Sequence, residues 1–423
     1  MLSAGTVDLE SRTVFREWNS YRSVSQRSLA RARSLAEQLD IPRRLKDVPT
    51  VGVVGSKGKG TAALFASAAL SAAGLKVGTI LSPGVVTNLD RVLIDGRSLR
   101  EQDYRTLLML LDDELDRVSP VDVEDGYLSP TGLFMLLGLV EILNHGCDVV
   151  VIEAGLGGLS DELSLFPLSA LVITQIFGEH REILGPTIAD IARNKSGVMT
   201  SATSLVYYLS QLQPAESVIV NTATALGLVP TRVDETVAEV SSAHFPPGYS
   251  RMNAAIGTAA GVAVGEFITG EEHDRARLSE AIASVTYPGR LSVHKFGETS
   301  LVVDSAISRN GLVSALEFAR LTFGQIPSSI LVSLGADKDL DGFIKELRTI
   351  ESRIVFVDFA DTHLTFPNRT DWPWEWADIS QLPDLLVGPS VLAVGTISFS
   401  SKVLELVGVD TDHLFVPPSR KYG

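Results

Sequence analysis

The residues best suited to chemistry form a glycine-rich turn between an apolar run and a stretch of small residues. The turn consists of Gly55, Ser56, Lys57, Gly58, Lys59, Gly60 and Thr61. Glycines let backbone N–H groups point toward a ligand, and a helix beginning here adds free donors and partial positive charge. Lys59 can reach terminal phosphates, and the Thr61 hydroxyl can bind magnesium. The turn therefore predicts a nucleotide-phosphate site; the alternative is an ordinary strand-to-helix turn with an incidental lysine.

Three further residues suit the same chemistry. Glu153 ends an apolar, β-rich run and precedes glycines, which favours a site at the carboxyl edge of a sheet over a surface carboxylate. A lone histidine such as His180 is more often structural than a ligand, and the nearby Glu179 and Glu182 could simply form salt bridges. Lys195 could be an ordinary lysine on a helix surface. The immediate sequence leaves both alternatives open for the histidine and the lysine.

The elements that must position these residues alternate between strand and helix. Strands are predicted over 50–54, 76–81, 147–153 and 170–176, and helices over 61–73, 107–115, 131–143 and 252–267. This alternation predicts an α/β fold, a parallel sheet with helices on both faces. Fully apolar strands fit, because such sheets are buried on both sides.

A second α/β series follows the turn Tyr287-Pro288-Gly289-Arg290. Its predicted strands are 301–304, 329–334 and 354–359, and its predicted helices are 311–322 and 342–350. We therefore expect two domains, 1–290 and 291–423.

Composition excludes several other classes of protein. The chain carries 36 Lys and Arg against 51 Asp and Glu, and this net charge of −15 argues against an extended nucleic-acid surface. The single Cys147 excludes an internal disulfide framework and fits a reducing compartment. The stretch 61–75 is too short to span a bilayer, and the stretch 196–215 is too polar. Because Asp8 and Glu10 do not suit a signal peptide, we expect a cytoplasmic protein with small-molecule partners and no membrane partner.

A basic cluster lies near the N-terminus. The arginines and their apolar companions are Arg27, Arg31, Arg33, Leu29, Leu35 and Leu39. Their spacing predicts an amphipathic surface helix. Because the rest of the chain is acidic, we expect a solvated helix face rather than an RNA or membrane patch.

The segment V-G-V-V-G-S-K-G-K-G-T resembles the nucleotide loop of the Mur ligase superfamily, and more closely that of its folylpolyglutamate synthase and dihydrofolate synthase branch. Further segments resemble that family's motifs in the family's order: Leu81-Ser82-Pro83, Asp90-Arg91-Val92, Glu153-Ala154-Gly155-Leu156-Gly157-Gly158, Gly178-Glu179-His180, Ile191-Ala192-Arg193-Asn194-Lys195-Ser196-Gly197, Asn253-Ala254-Ala255, Pro288-Gly289-Arg290, Ala336-Asp337-Lys338-Asp339 and Val394-Gly395-Thr396. The resemblance implies a P-loop-type, mostly parallel central sheet domain followed by a smaller Rossmann-like α/β C-terminal domain.

The resemblance also implies an activity, the ATP-dependent formation of an amide bond. A carboxylate is phosphorylated, and an amine then attacks the acyl phosphate. On this basis Lys59 contacts the γ-phosphate, and Thr61 and Glu153 hold one magnesium ion. His180 is a third ligand of the magnesium region. Lys195 matches a lysine that is carbamylated in the family and helps to hold a second magnesium ion.

Nucleotide contacts are likewise implied for three residues beyond the glycine-rich turn. Asn253 and Arg290 match positions that touch the nucleotide, and Asp304 matches one that meets the ribose or the cleft of the second domain. The alternatives are that Asn253 packs within its Ala-rich helix and that Arg290 donates a salt bridge at the domain junction.

Several departures from the family's pattern affect the acceptor side. The family's D-G-A-H-N-P is replaced by residues 304–309, where Ile307 and Ser308 take the places of the His and Asn. The family's S-P-H ends here in Gly84, and its D-A-T-N has Glu162 in place of the alanine. Because the phosphate and magnesium residues persist while the acceptor residues differ, we expect an ADP-forming carboxylate–amine ligase whose acceptor is not folate.

Two alternatives stay open, a genuine folylpolyglutamate or dihydrofolate synthase and a nucleotide-binding homologue that is regulatory or non-catalytic. The expected partners are a small carboxylic acid and an amine or amino acid, with no nucleic acid. The expected state is a monomer or weak homodimer.

Overall fold

The computed structural model describes residues 2–23, 26–117, 126–235, 249–360 and 364–419. The chain divides into two compact units, Met1–Thr286 with Asp412–Gly423, and Tyr287–Thr411. Each unit is an α/β structure built on one sheet, as the alternating pattern predicted.

The first unit contains an eight-stranded sheet in the described part of the chain. Its strands are β1 (Thr50–Val54), β2 (Val77–Ile80), β3 (Val92–Ile94), β4 (Arg97–Ser98), β5 (Val149–Glu153), β6 (Ala170–Ile173), β7 (Leu205–Leu209) and β8 (Thr231–Val233). The strand order is β4-β3-β2-β5-β1-β6-β7-β8. From β2 to β8 neighbouring strands run parallel, whereas β3 and β4 pair antiparallel at one edge. The carboxyl ends of β1, β5 and β6 therefore meet at one edge of the sheet.

The helices of the first unit surround this sheet. They are α1 (Ala4–Thr13), α2 (Arg16–Tyr21), α3 (Leu29–Gln38), α4 (Ile41–Leu45), α5 (Lys59–Ala72), α6 (Glu101–Leu115), α7 (Pro130–Asn144), α8 (Arg181–Leu184), α9 (Ile188–Ser196), α10 (Ala215–Ala225), α11 (Tyr249–Thr269) and α12 (Arg275–Ala283). Helix α5 is buried along its whole length after Lys59. Its small residues allow close packing against α11, where a Cβ added to Gly257 would lie 2.2 Å from the Ala62 carbonyl oxygen.

The described residues of the second unit form six strands, β9 (Ser292–Phe296), β10 (Thr299–Asp304), β11 (Ser329–Ser333), β12 (Arg353–Asp358), β13 (Glu375–Asp378) and β14 (Ser390–Gly395). Their order is β13-β12-β11-β14-β10-β9, with β9 antiparallel and the others parallel. The helices are α13 (Arg309–Phe323), α14 (Leu340–Leu347), α15 (Leu382–Leu385) and α16 (Ile397–Val407). The core includes the buried Phe343 and Phe356.

The C-terminal segment from Asp412 clusters with the first unit, whereas the sequence analysis assigned it to the second. Leu414 and Phe415 are buried. The Leu414 N–H donates to the Gly96 carbonyl at 2.8 Å, and the Thr286 N–H donates to the Leu414 carbonyl at 2.8 Å. Leu414 and Phe415 are buried by residues that are distant in the sequence. No local pattern therefore predicted that the C-terminal segment joins the first unit.

The expectation of a solvated arginine face is wrong for two of its three members. Arg31 binds Glu17 through two hydrogen bonds of 2.6 and 2.7 Å, and the two side chains are only 10% and 7% exposed. Arg27 is likewise paired with the buried Glu162. Buried charges need such partners, and the carboxylates come from distant parts of the chain. Arg33 is exposed as expected.

Within the described ranges, none of the helices combines the length and apolar character that a bilayer span requires.

Candidate nucleotide and phosphoryl-transfer site

The glycine-rich turn lies between β1 and α5, at the carboxyl edge of the first sheet. Gly55 has a φ of +143° and Gly58 a φ of +81°, which are backbone conformations that favour glycine. A Cβ at Gly55 would lie 1.9 Å from Thr174 Oγ1, and one at Gly58 would lie 2.1 Å from Asn253 Cγ. Both glycines are therefore required by conformation and by space.

Helix α5 begins at Lys59 directly after this turn. Its N-cap is Gly58, which offers no side-chain acceptor to the N–H groups of the first turn, and that turn contains no acidic residue. A helix start of this kind favours an anion. Thr61 lies in the same turn and is buried. The structure thus brings the predicted phosphate residues together at a helix N-terminus.

The segment after β6 holds the turn in place. The Ser56 N–H donates to the Gln175 carbonyl at 2.9 Å, and the Phe177 N–H donates to Ser56 Oγ at 3.1 Å. Thr174 Oγ1 donates to the Lys57 carbonyl at 2.7 Å. The shape of the turn is therefore set by protein contacts.

Lys195 is buried beside the turn and is only 1% exposed. Its Nζ donates to the Gly55 carbonyl at 2.7 Å and lies 2.8 Å from Glu179 Oε1. Burial, followed by the positive charge of Lys59, lowers the pKa of Lys195 to about 8, and Glu179 opposes this shift. The alternative of a lysine on a helix surface is therefore wrong.

Glu153 ends β5, beside β1, and is buried. Its Oε2 accepts a hydrogen bond from the Ser82 N–H at 2.8 Å. The alternative of an exposed surface carboxylate therefore does not hold. The adjacency of β1 and β5 puts this carboxylate at the same sheet edge as the glycine-rich turn.

Arg91 brings positive charge to the neighbourhood of Glu153. Its guanidinium lies over the Phe134 ring at 4.2 Å, and its Nε donates to Asn88 Oδ1 at 2.6 Å. Burial lowers the pKa of Arg91 to about 10, against the opposing effect of Tyr104 and several carboxylates that include Glu153. Arg91 lies within one of the motifs that carry the family resemblance, and no role was predicted for it.

His180 is exposed and has a φ of +41°, and its Nδ1 lies 3.6 Å from Glu182 Oε1. In the described part of the chain, no three acidic, histidine or cysteine side chains are grouped so that they could hold a metal ion. A magnesium ion here would therefore depend on hydroxyl and phosphate oxygens as well as on carboxylate. The role of His180 as a ligand stays a prediction.

Asn253 lies in α11 and is 1% exposed. Its Oδ1 is buried without a hydrogen-bond partner among the described residues, and its amide lies against Gly58. A buried amide oxygen left unpaired is costly, and a bound molecule with a suitable donor removes the cost. In a nucleotide that donor would be an amino or hydroxyl group, because phosphate oxygens only accept.

The remaining two predicted residues, Arg290 and Asp304, belong to the second unit. The Leu291 N–H donates to Asp304 Oδ2 at 2.8 Å. The Arg290 guanidinium donates to the Gly289 carbonyl at 3.0 Å and lies 5.2 Å from the Tyr287 ring centroid. The structure thus places the two residues next to each other at the start of the second sheet.

The second unit also shows what replaces the family's His and Asn. Ser308 is the N-cap of α13, where its side chain accepts from the Gly311 N–H, and Ile307 packs on the apolar core. The next residue, Arg309, forms an ion pair of 3.1 Å with Glu346. These positions therefore have structural roles here.

No protein-family model matches the chain. The dihydrofolate synthase/folylpolyglutamate synthase of Bacillus subtilis (strain 168) is 24% identical over 366 residues, which cover 78% of this chain and 81% of the relative. Mycobacterium tuberculosis folylpolyglutamate synthase complexed with ADP superposes with a TM-score of 0.76 at 18% identity, covering 96% of this chain and 99% of that one. An FPGS–AMPPCP–folate complex superposes with a TM-score of 0.73 at 20% identity, covering 93% and 99%.

The chain therefore shares the two-domain α/β fold of these solved structures. Over most of its length the sequence is similar to that of folylpolyglutamate synthases and dihydrofolate synthases, at 24% identity. The proteins it resembles are ATP-dependent ligases of the folylpolyglutamate synthase type.

Proposed function

We propose that the first unit activates a carboxylic acid by phosphoryl transfer from ATP, and that an amine then displaces phosphate from the acyl phosphate to form an amide. The convergence of three features on one turn carries this proposal. They are the glycines that open α5, the buried Lys195 and the orphan Asn253 oxygen. Phosphoryl transfer depends on positioning and charge neutralisation more than on covalent help, and these features supply both.

In this proposal Lys59 neutralises the γ-phosphate, and the backbone donors of residues 55–61 hold the phosphates. Thr61 and Glu153 hold a magnesium ion, which when bound offsets the negative charge that develops on the phosphoryl oxygens. His180 and Lys195 complete the metal region. Asn253 contacts the remainder of the nucleotide, and the nucleotide roles of Arg290 and Asp304 stay predictions from the sequence.

Lys195 is also proposed to become carbamylated, because carbamate formation requires a neutral amine and burial weakens its hold on the proton. Modification would replace its present bonds to Gly55 and Glu179. Protein equilibrated with ¹³C-bicarbonate should show a carbamate carbon signal that is missing in Lys195→Ala. A wild-type spectrum identical to that of the variant would contradict the modification.

We further propose that the acceptor acid is not folate. A Cβ at Gly84, where the family has a histidine, would lie 2.2 Å from the Thr87 carbonyl oxygen, so this loop conformation leaves no room for a side chain. Glu162 stands where the family has alanine and is buried, accepting from Ser129 Oγ at 2.7 Å. The altered acceptor side is the support for a different substrate, set in a cytoplasmic biosynthetic pathway.

A genuine folylpolyglutamate synthase is the second candidate, and the curated relatives favour it. Purified protein with Mg-ATP should be given tetrahydrofolate and glutamate, and separately a panel of other carboxylic acids with amines and amino acids. ADP release that depends on both tetrahydrofolate and glutamate supports the second candidate. Release that depends on another acid–amine pair supports the first, and ATP binding without release for any pair supports a non-catalytic homologue.

A further inference from the structure

One buried residue, Thr174, contacts the backbone on both sides of Gly55 and Ser56, the first two residues of the glycine-rich turn. It directly follows β6 and is fully buried. Its N–H donates to the Val54 carbonyl at 2.9 Å, just before the turn, and its Oγ1 donates to the Lys57 carbonyl at 2.7 Å, within the turn. The hydroxyl occupies the space that a side chain at Gly55 would need. This one residue therefore fixes the separation of the Val54 and Lys57 carbonyls.

Gln211 fixes the segment that contains Thr174. It lies two residues beyond β7 and is buried. Its Nε2 donates to the Thr174 carbonyl at 3.0 Å, and its Oε1 accepts from the Ile176 N–H at 2.9 Å. A strand residue in a parallel ladder pairs with a neighbouring strand in this way, so the side-chain amide extends the sheet beyond the end of β7. Between the two anchored positions, the Gln175 carbonyl accepts from the Ser56 N–H at 2.9 Å.

We propose that Thr174 and Gln211 are positioning residues that hold residues 55–58 in the shape that accepts phosphate before the nucleotide arrives. The inference rests on the proposed function, because it takes Mg-ATP as the ligand of the turn. A preformed turn does not lose conformational freedom on binding, which strengthens affinity. Removal of the Thr174 hydroxyl leaves the Lys57 carbonyl without this donor. Removal of the Gln211 amide takes the partners from the Thr174 carbonyl and the Ile176 N–H.

The experiment measures Mg-ATP binding by calorimetry and the KM for ATP in variants whose folding is checked by circular dichroism. Thr174→Val and Gln211→Leu should each weaken binding about tenfold, the effect expected of one lost buried hydrogen bond. Thr174→Ser keeps the hydroxyl and should bind like the wild type. Thr299→Val is the matched control, because Thr299 is a buried threonine of the second unit whose Oγ1 donates to the Leu386 carbonyl at 3.2 Å.

Gln211→Glu keeps the shape of the side chain and serves if the leucine variant does not fold. Its carboxylate retains an acceptor for Ile176 but loses the donor to Thr174. Binding should weaken at neutral pH and recover toward the wild-type value as the carboxyl is protonated, a pH profile that loss of packing alone would not produce.

Folded Thr174→Val and Gln211→Leu variants that bind Mg-ATP as tightly as the wild type would overturn the inference. A Thr174→Ser variant as impaired as Thr174→Val would also overturn it, because the hydroxyl would then not be responsible. A wild-type protein that does not bind Mg-ATP would instead defeat the proposed function itself, together with the inference that depends on it.

Discussion

At the scale of single residues, the proposed site has three charged side chains at the carboxyl edge of the first sheet. Lys59 begins α5, Lys195 is buried behind the turn, and Glu153 ends the neighbouring strand. Each side chain belongs to a different element, so substitution of one leaves the backbone that carries the other two unchanged. Their separate contributions are therefore open to measurement by substitution.

Lys59→Ala and Glu153→Ala should each lower turnover about 10²- to 10³-fold, which is the usual effect of removing one electrostatic contributor to a transition state. The measurement is ADP release under saturating substrates. Lys345→Ala, in α14 of the second unit, is a suitable control because that lysine has no role in the proposed site. Turnover that is unchanged in either site variant would contradict the assigned roles.

The buried pair of Glu17 and Arg31 makes a prediction about stability. Glu17 also accepts from the Leu128 N–H at 2.8 Å, and Arg31 donates to the Gly126 carbonyl at 3.1 Å. Arg31→Met leaves a buried carboxylate without its counter-charge and should lower the free energy of unfolding by about 3–5 kcal/mol. Hydrogen exchange across α2 and α3 should show the loss locally.

The double variant Glu17→Gln, Arg31→Met provides the control for this pair. It should lose less stability than Arg31→Met alone, because no unpaired charge remains. A double variant less stable than the single one would show that the charge pair is not the cause.

At the scale of elements, the carboxylate of Glu101, at the start of α6, holds the start of α1. It accepts hydrogen bonds from the Ser3 N–H at 2.8 Å and from Thr6 Oγ1 at 2.6 Å, and also from Ser3 Oγ. The side-chain bonds from Ser3 and Thr6 are the main cause that lowers the pKa of Glu101 to about 2. The two helices are thus joined by an ionised group.

This contact makes the attachment of α1 sensitive to pH. Because the folded pKa is lowered, the stabilisation is fully present above the ordinary carboxyl pKa of 4.5 and is lost as the pH falls toward 2. The protection factors of the α1 amides, which correct for the slower intrinsic exchange in acid, should therefore fall across that range. In Glu101→Gln the α1 amides should exchange faster than in the wild type already at neutral pH. Equal protection of these amides in the wild type above pH 4.5 and near pH 2 would contradict the prediction.

Strand and helix alternation was predictable because local apolar runs and small residues determine elements such as β1 and α5. The turn between them was predictable because glycines, a lysine and a threonine occur in order there. The partners of Arg27 and Arg31 were not, since Glu162 and Glu17 meet them only after folding. The roles of Thr174 and Gln211 were not predictable for the same reason, and Thr174 lies inside the predicted strand 170–176, where a threonine is ordinary.

At the scale of the whole molecule, the two units share an α/β plan but differ in how their polar residues are used. In the first unit the sheet edge carries a buried lysine, a buried carboxylate and an orphan amide around one turn. In the second unit the positions of the family's His and Asn serve a core and a helix cap. This difference between the units supports the proposal that the chain binds a nucleotide and uses an acceptor acid other than folate.

Calorimetric titration of the purified chain with Mg-ATP tests the central claim most directly. The wild type should bind with a stoichiometry of about one nucleotide per chain, as expected for one helix-start phosphate site. Lys59→Ala should lose most of this binding while keeping its fold. A folded wild-type chain that gives no binding signal at millimolar Mg-ATP would contradict the claim that this turn grips a triphosphate.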